Sequence, residues 1–158
     1  MASRIDESLR VPARGDTARA SVRINPDVDA RTHAKISTGK AENKFGVSIA
    51  EARRWFDAKA QWPAVQLDGL HMHIGSQLLS LDPVREALQR MAGFWKELAA
   101  AGHAIASIDV GGGLGVRYRE GEQAPDAGDY VDEIRAALAG FEGRILVEPG
   151  RWLVAEAG

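Results

Sequence analysis

Three apolar runs in this chain each end in a burst of polar or glycine-rich residues, and that repetition constrains the fold more than any other feature. The bursts are His71-Met72-His73-Ile74-Gly75-Ser76-Gln77, Asp109-Val110-Gly111-Gly112-Gly113-Leu114-Gly115 and Glu148-Pro149-Gly150-Arg151. Each preceding run has the length and apolar content of a buried strand. Strands are expected at 65–74, 104–110 and 144–148, and an earlier one at 20–25, where small or apolar residues alternate with polar ones. Helix signals fall between them. Ile49 to Ala60 is stopped by Pro63, with Trp55 and Phe56 as core candidates; a second helix opens at Asp82-Pro83 and closes at Gly102; Asp129 to Leu138 runs into a turn at 140–143. Alternating strands and helices imply a parallel sheet with right-handed crossovers. In a closed barrel of this type the chemistry collects at the C-terminal ends of the strands, where all three bursts fall.

The bulk numbers fit one domain. The chain has 158 residues, 45% of them hydrophobic, with a net charge of −2. That balance gives no reason to expect a nucleic acid or an anionic membrane as partner. Cysteine is absent, so disulfides and cysteine-based zinc sites are excluded. No apolar run approaches the ~20 residues of a membrane span, and no hydrophobic signal core follows Met1. A cytoplasmic location is the expectation.

The three bursts admit competing chemistry. Glycines at 111, 112 and 113 let backbone amides approach an anion, or simply form a tight turn at a barrel rim. The dinucleotide fingerprint fails, because Val116 or Tyr118 stands where its last glycine belongs. A Walker loop fails for want of a following Gly-Lys-Ser/Thr. Glu148 closes an apolar strand, so it is expected to be partly buried. It is then either in a salt bridge to an arginine such as Arg151 or available to a bound ring nitrogen. His71 and His73 lie two apart on a strand and share a face. They could be core histidines, a metal pair completed by Asp109 or Glu148, or, for His73, a ring stacked on a flat cofactor.

With Val22-Arg23-Ile24-Asn25-Pro26, His33 to Lys40 and Asn43 to Gly46, these segments resemble the pyridoxal-phosphate-dependent decarboxylases of ornithine, diaminopimelate and arginine, and most closely the diaminopimelate branch. The resemblance runs from about residue 20 to the end. It implies an α/β fold: the C-terminal half of a pyridoxal-phosphate-binding (β/α)8 TIM-type barrel, with residues 1–158 as a partial domain. The strands that carry the Schiff-base lysine, and a later β-rich domain, would lie outside these residues.

By that resemblance, His73 stacks on the pyridoxal ring and Arg23 lies near it. Ser76 and Gly111, Gly112 and Gly113 hold the phosphate, Glu148 pairs with the ring nitrogen, and Gly150 and Arg151 contact phosphate or substrate. Glu148 and His73 would be the catalytic pair, and no metal is implied. The loop from His33 to Lys44 would lie over the site. The implied reaction converts meso-diaminopimelate to L-lysine. The implied partners are an amino-acid substrate and a second copy, or another association through open barrel edges. The family's Tyr-Ala-x-Lys-Ala segment does not occur in these residues, and Lys35, Lys40, Lys44, Lys59 and Lys96 do not match it. Little turnover is therefore expected from this chain alone. Related decarboxylases of ornithine or arginine, a non-catalytic binding module and a zinc hydrolase barrel are the alternatives.

Overall fold

The computed structural model describes residues 17–29, 45–155 and 157. The expected lead-in before residue 17 and the segment with Lys35, Lys40 and Lys44 lie outside the described residues. Five strands form one sheet, β1 (Ala18–Asn25), β2 (Val47–Ser48), β3 (Val65–His71), β4 (Ser107–Gly112) and β5 (Arg144–Glu148). Their order is β2-β1-β3-β4-β5, and every neighbouring pair is parallel. The helices are α1 (Ile49–Ala58), α2 (Asp82–Ala100), α3 (Ala127–Ala137) and the short α4 (Gly150–Val154).

The sheet has two unlike faces. Alternation on β1 sends Val22 and Ile24 into the core and leaves Arg19, Ser21 and Arg23 on the other side. On β4, Ile108 and Val110 do the same, opposite Ser107 and Asp109. The helices cover the apolar face. Val84, Ala87, Leu88, Met91 and Leu98 recur on α2 at helical spacing and are buried with Phe56 of α1 and Ile134 of α3. α2 ends where a sequence reader expects. Gly102 takes a φ of +83°, and the N–H groups of Gly102 and His103 return to the carbonyls of Ala99 and Leu98 at 3.0 and 2.9 Å.

Several boundaries differ from expectation. β1 begins two residues early because Ala18 pairs with Val65 across the ladder. β2, two residues long, escaped notice because it is too short for periodicity to register. β3 stops at His71 rather than 74; beyond it Gly75 and Gln77 both adopt positive φ. β4 starts later and runs on into the glycines, since Gly112 still pairs with Glu148. Asp82 is the first helical residue of α2 with Leu81 as its cap, and α3 starts earlier because Asp126 caps it, accepting from the Gly128 N–H at 2.6 Å.

The β5 edge is uncovered. Ile145, Leu146 and Val147 are 40–47% exposed, and Trp152, Leu153 and Val154 of α4 are also exposed. The load therefore rests on the helix-covered face. Phe94 is 2% exposed there, and Phe94→Ala is expected to cost about 3–5 kcal/mol. Urea unfolding of the two forms measures this, and a loss below 1 kcal/mol would show that the α2 face is not the core.

Candidate active site

The sheet face away from the helices forms a cleft of about 360 Å³, open to solvent and lined by residues of β1, β3, β4 and β5. Its floor, at the N-terminal ends of the strands, is closed by charge. Arg19 donates to the Asp68 carboxylate through Nε at 3.1 Å and Nη2 at 2.8 Å, and Gln66 Nε2 donates to the same oxygen at 2.8 Å. Asp68 is buried, and these donors offset the cost of taking a carboxylate out of water.

At the other end of the cleft, His71, Asp109 and Glu148 present side-chain atoms that all lie within 4.8 Å of one another. Parallel pairing puts them there: Arg23 sits opposite His71, and His71 opposite Asp109. His71 Nε2 is 3.6 Å from Glu148 Oε2, beyond hydrogen-bond range. Among the described residues, buried Nε2 of His71 and Nε of Arg23 both go without a hydrogen-bond partner. Asp109 is committed locally, its Oδ1 accepting from the Gly111 N–H at 2.9 Å.

His73 lies just past the end of β3. Its Nδ1 accepts the Gly112 N–H at 3.3 Å, which fixes the Nε2–H tautomer, and its carbonyl accepts from Arg23 Nη2 at 3.5 Å. Burial, then the nearby Arg23 charge, holds the ring below its ordinary value of 6.5, against the opposing pull of Glu148. The imidazole is therefore neutral at pH 7. Tyr130 of α3 is buried, and desolvation, reinforced by the charges of Asp109 and Glu148, pushes its hydroxyl up to about 12.

The glycines do more than leave room for an anion. A Cβ on Gly112 would overlap the carbonyl oxygen of Glu148, and one on Gly113 would overlap that of Gly75. Both positions are thus needed for backbone to meet backbone, which welds the β3 and β5 ends onto β4. The amides of Gly111 and Gly112 already have partners, Asp109 and His73. Ser76 is exposed in the loop after β3.

Two expectations are corrected. Glu148 is less buried than expected: its side chain is 53% exposed, because β5 is an edge strand. Nor is it bridged to Arg151. That guanidinium donates to Gln77 Oε1 at 3.1 Å and lies 5.7 Å from the centre of the Tyr118 ring. Of the two histidines, it is His71, not His73, whose nitrogen joins the carboxylates. Gln77 and Tyr118 were missed as contributors. Gln77 was quoted in the motif, but its positive φ leaves no trace in a pattern of hydrophobicity.

A parallel β/α sheet with imidazoles and carboxylates at the C-terminal strand ends is the scaffold of a barrel enzyme. The model of the pyridoxal-dependent decarboxylases, pyridoxal binding domain, matches residues 4–155, and the chain belongs to that family. Diaminopimelate decarboxylase of Pseudomonas aeruginosa is 49% identical over 144 residues, 91% of this chain and 34% of its own length. That of Neisseria meningitidis is 43% identical over 155 residues, 98% of this chain and 37% of its own length. The crystal structure of diaminopimelate decarboxylase from Helicobacter pylori complexed with L-lysine superposes with a TM-score of 0.82 at 47% identity, over 90% of this chain and 36% of that one. The chain spans about a third of the length of the curated relatives it matches. Among the described residues no helix is long and apolar enough to cross a membrane.

The His73 environment sets a pH dependence. The unfolded ring takes up a proton as pH falls through about 6.5, while the folded ring stays neutral until its lower pKa is reached. Its contribution to stability is thus whole above pH 6.5 and lost as pH falls from there toward the folded value. An NMR titration of the His73 ring should show a midpoint below 6.5, and one above it would contradict the burial argument.

Proposed function

We propose that this chain is the cofactor-binding part of a pyridoxal-phosphate-dependent decarboxylase that converts meso-diaminopimelate to L-lysine. The observation that carries the proposal is the strand-end set of His71, Asp109 and Glu148, with buried His71 Nε2 and Arg23 Nε left unpartnered beside it. A carboxylate that is half exposed and held by no arginine among the described residues suits a protonated ring nitrogen as partner. Identity to diaminopimelate decarboxylases at 38–49% over most of the chain supports the substrate.

In this reading Glu148 holds the proton on the ring nitrogen and His73 lies against the ring face. Neutral His73 adds no charge that would compete with Glu148 for that proton. Ser76 and the Gly111 to Gly113 turn hold the phosphate, with Gly150 at the start of α4 beside them. Arg151 offers its guanidinium to phosphate or to a substrate carboxylate. Bound there, pyridoxal phosphate supplies an electron sink for the charge left when a carboxylate departs as carbon dioxide. Arg23, bonded to the His73 carbonyl, fixes the height of that loop above the cleft.

The metal alternative shares the same three side chains, since their spacing also suits a divalent cation. The family match favours the organic cofactor. Titration with pyridoxal 5'-phosphate, followed by absorbance, separates the two. Glu148→Ala should weaken binding about tenfold, the worth of one charge-assisted hydrogen bond. An unchanged affinity, or displacement of the ligand by equimolar zinc, would sink the assignment of Glu148.

The open β5 edge bears on assembly. Exposed Ile145, Leu146 and Val147 on an edge strand, whose outer side has no strand partner among the described residues, favour association through a second copy or further barrel strands. Sedimentation velocity should show a size that grows with concentration for this chain, and a smaller increase for Val147→Lys. A monomer at every concentration would remove this part of the proposal.

A further inference from the structure

We infer that Gln77 is a positioning residue that sets the direction of the Arg151 guanidinium and thereby the preference for a ligand carrying a carboxylate. The inference rests on the reading of Arg151 as an anion contact. Its basis is a cluster that joins three separate loops through one side chain. Gln77 Nε2 donates to the Val116 carbonyl at 2.5 Å, and the Val116 N–H donates back to Gln77 Oε1 at 3.3 Å. The Gln77 amide therefore docks on the backbone after β4 as another peptide group would. The same Oε1 accepts from Arg151 Nη1 at 3.1 Å, at the start of α4.

Two observations make this more than a surface contact. Gln77 adopts a φ of +58°, a region that a side chain other than glycine enters at a cost. Such cost persists where the surroundings over-determine the conformation, commonly around functional sites. Here the neighbouring segment is pinned: Leu78 N–H donates to the Gly113 carbonyl and Gly115 N–H to the Leu78 carbonyl, at 2.9 and 3.1 Å. The second observation is the other side of Arg151, where the Tyr118 ring lies 5.7 Å away. The guanidinium is thus held by an oxygen on one side and an aromatic face on another. Neither holder is a carboxylate, so its charge is not cancelled. A guanidinium has five N–H donors, and the one hydrogen bond to Gln77 leaves the others for an anion.

An acidic holder would neutralise Arg151, and an apolar one would leave it to swing. A primary amide does neither, because its oxygen orients the guanidinium without competing for it. The Gln77 amide cannot easily reorient, because both its ends are engaged by Val116. The chemical class selected is an amino acid whose retained carboxylate faces Arg151, as in diaminopimelate and L-lysine, as opposed to a diamine that has none.

The test uses two stable probes: the reduced adduct of pyridoxal phosphate with the ε-amino group of L-lysine, and the corresponding adduct with cadaverine, which lacks the carboxylate. Their affinities for the 158-residue chain are measured by calorimetry for the parent, Gln77→Met, Arg151→Ala and the double variant, with melting curves to confirm folding. The parent should prefer the carboxylated adduct. Gln77→Met should reduce that preference about tenfold, and should add nothing once Arg151 is alanine. Equal weakening of both adducts by Gln77→Met would reveal a merely structural role and overturn the inference. Loss of preference in Arg151→Ala but not in Gln77→Met would also overturn it, leaving the reading of Arg151 intact. An unchanged preference in Arg151→Ala, or no binding to the parent, would instead overturn that reading. A ligand-free readout then decides for Gln77: NMR of the Arg151 guanidinium must show faster rotation about Nε–Cζ in Gln77→Met, and an unchanged rate refutes the positioning role.

Discussion

Everything at the strand ends depends on a break in register between β4 and β5. Asp109 pairs with Leu146, yet Gly112 pairs with Glu148, so β4 spends one residue more than its partner over the same stretch. Such a bulge twists the strand and re-aims the side chains around it. Its conformation is held by the Asp109 carboxylate, which accepts the Gly111 N–H, and by the positive φ of Gly111. Without the extra residue, alternation would carry Asp109 and Glu148 into a different relation. A second shift lies between β1 and β3, where Ala20 pairs with Leu67 and Ser21 with Gly69. The residue passed over is Asp68, and Arg19 and Gln66 hold it. In both places a carboxylate fixes an irregularity of the sheet, once at the floor of the cleft and once at its mouth.

The electrostatic layout follows from where the arginines are spent. Arg19 is committed to Asp68, Arg23 to the His73 carbonyl, Arg85 to Glu133 and Asp82 between α2 and α3, and Arg151 to Gln77. Among the described residues none is paired with Glu148. Arg85 binds Glu133 through paired short contacts but on the surface, where solvent screens the pair and it adds little. Arg19 at the floor of the cleft is spent on Asp68, whereas Arg23 and Arg151 near its mouth bond a backbone carbonyl and a side-chain amide and leave the carboxylate of Glu148 to a ligand.

The sequence made the architecture legible because its signals are local. Apolar runs at 65–70 and 144–147, the α2 spacing of Leu88, Met91 and Leu98, and the terminating Gly102 each announce an element within a few residues. The three motif bursts likewise announced the strand ends. What stayed hidden depends on partners distant in sequence. The β1–β2 pair rests on two residues, Val47 and Ser48, that nothing marks as a strand. Glu148 looked paired because a charge after Ile145-Leu146-Val147 is usually buried, but that argument assumes a strand covered on both sides, and β5 is not. The partnership of His71 with Asp109 and Glu148, rather than His73, depends on register. The glycine triplet was read as room for an anion or as a tight turn at a barrel rim, and the close approach of other backbone at Gly112 and Gly113 could not be read from it because those partners are distant in sequence.

The two unpartnered buried atoms carry the last step. Arg23 and His71 are opposite one another on β1 and β3, and Arg23 Nε and His71 Nε2 are both buried with no hydrogen bond among the described residues. A buried polar group left unmet costs about 1–3 kcal/mol, so the fold carries this cost in the ligand-free state. Packing on the far face of the sheet, where Leu70, Leu88 and Ile108 are fully buried, supplies the stability that tolerates it. A ligand that meets either atom recovers that energy on binding, so affinity at the strand ends and stability of the sheet are linked. An apolar replacement of His71 would relieve the cost without a ligand. The same substitution would then raise the melting temperature of the free chain and reduce the further rise that the ligand confers.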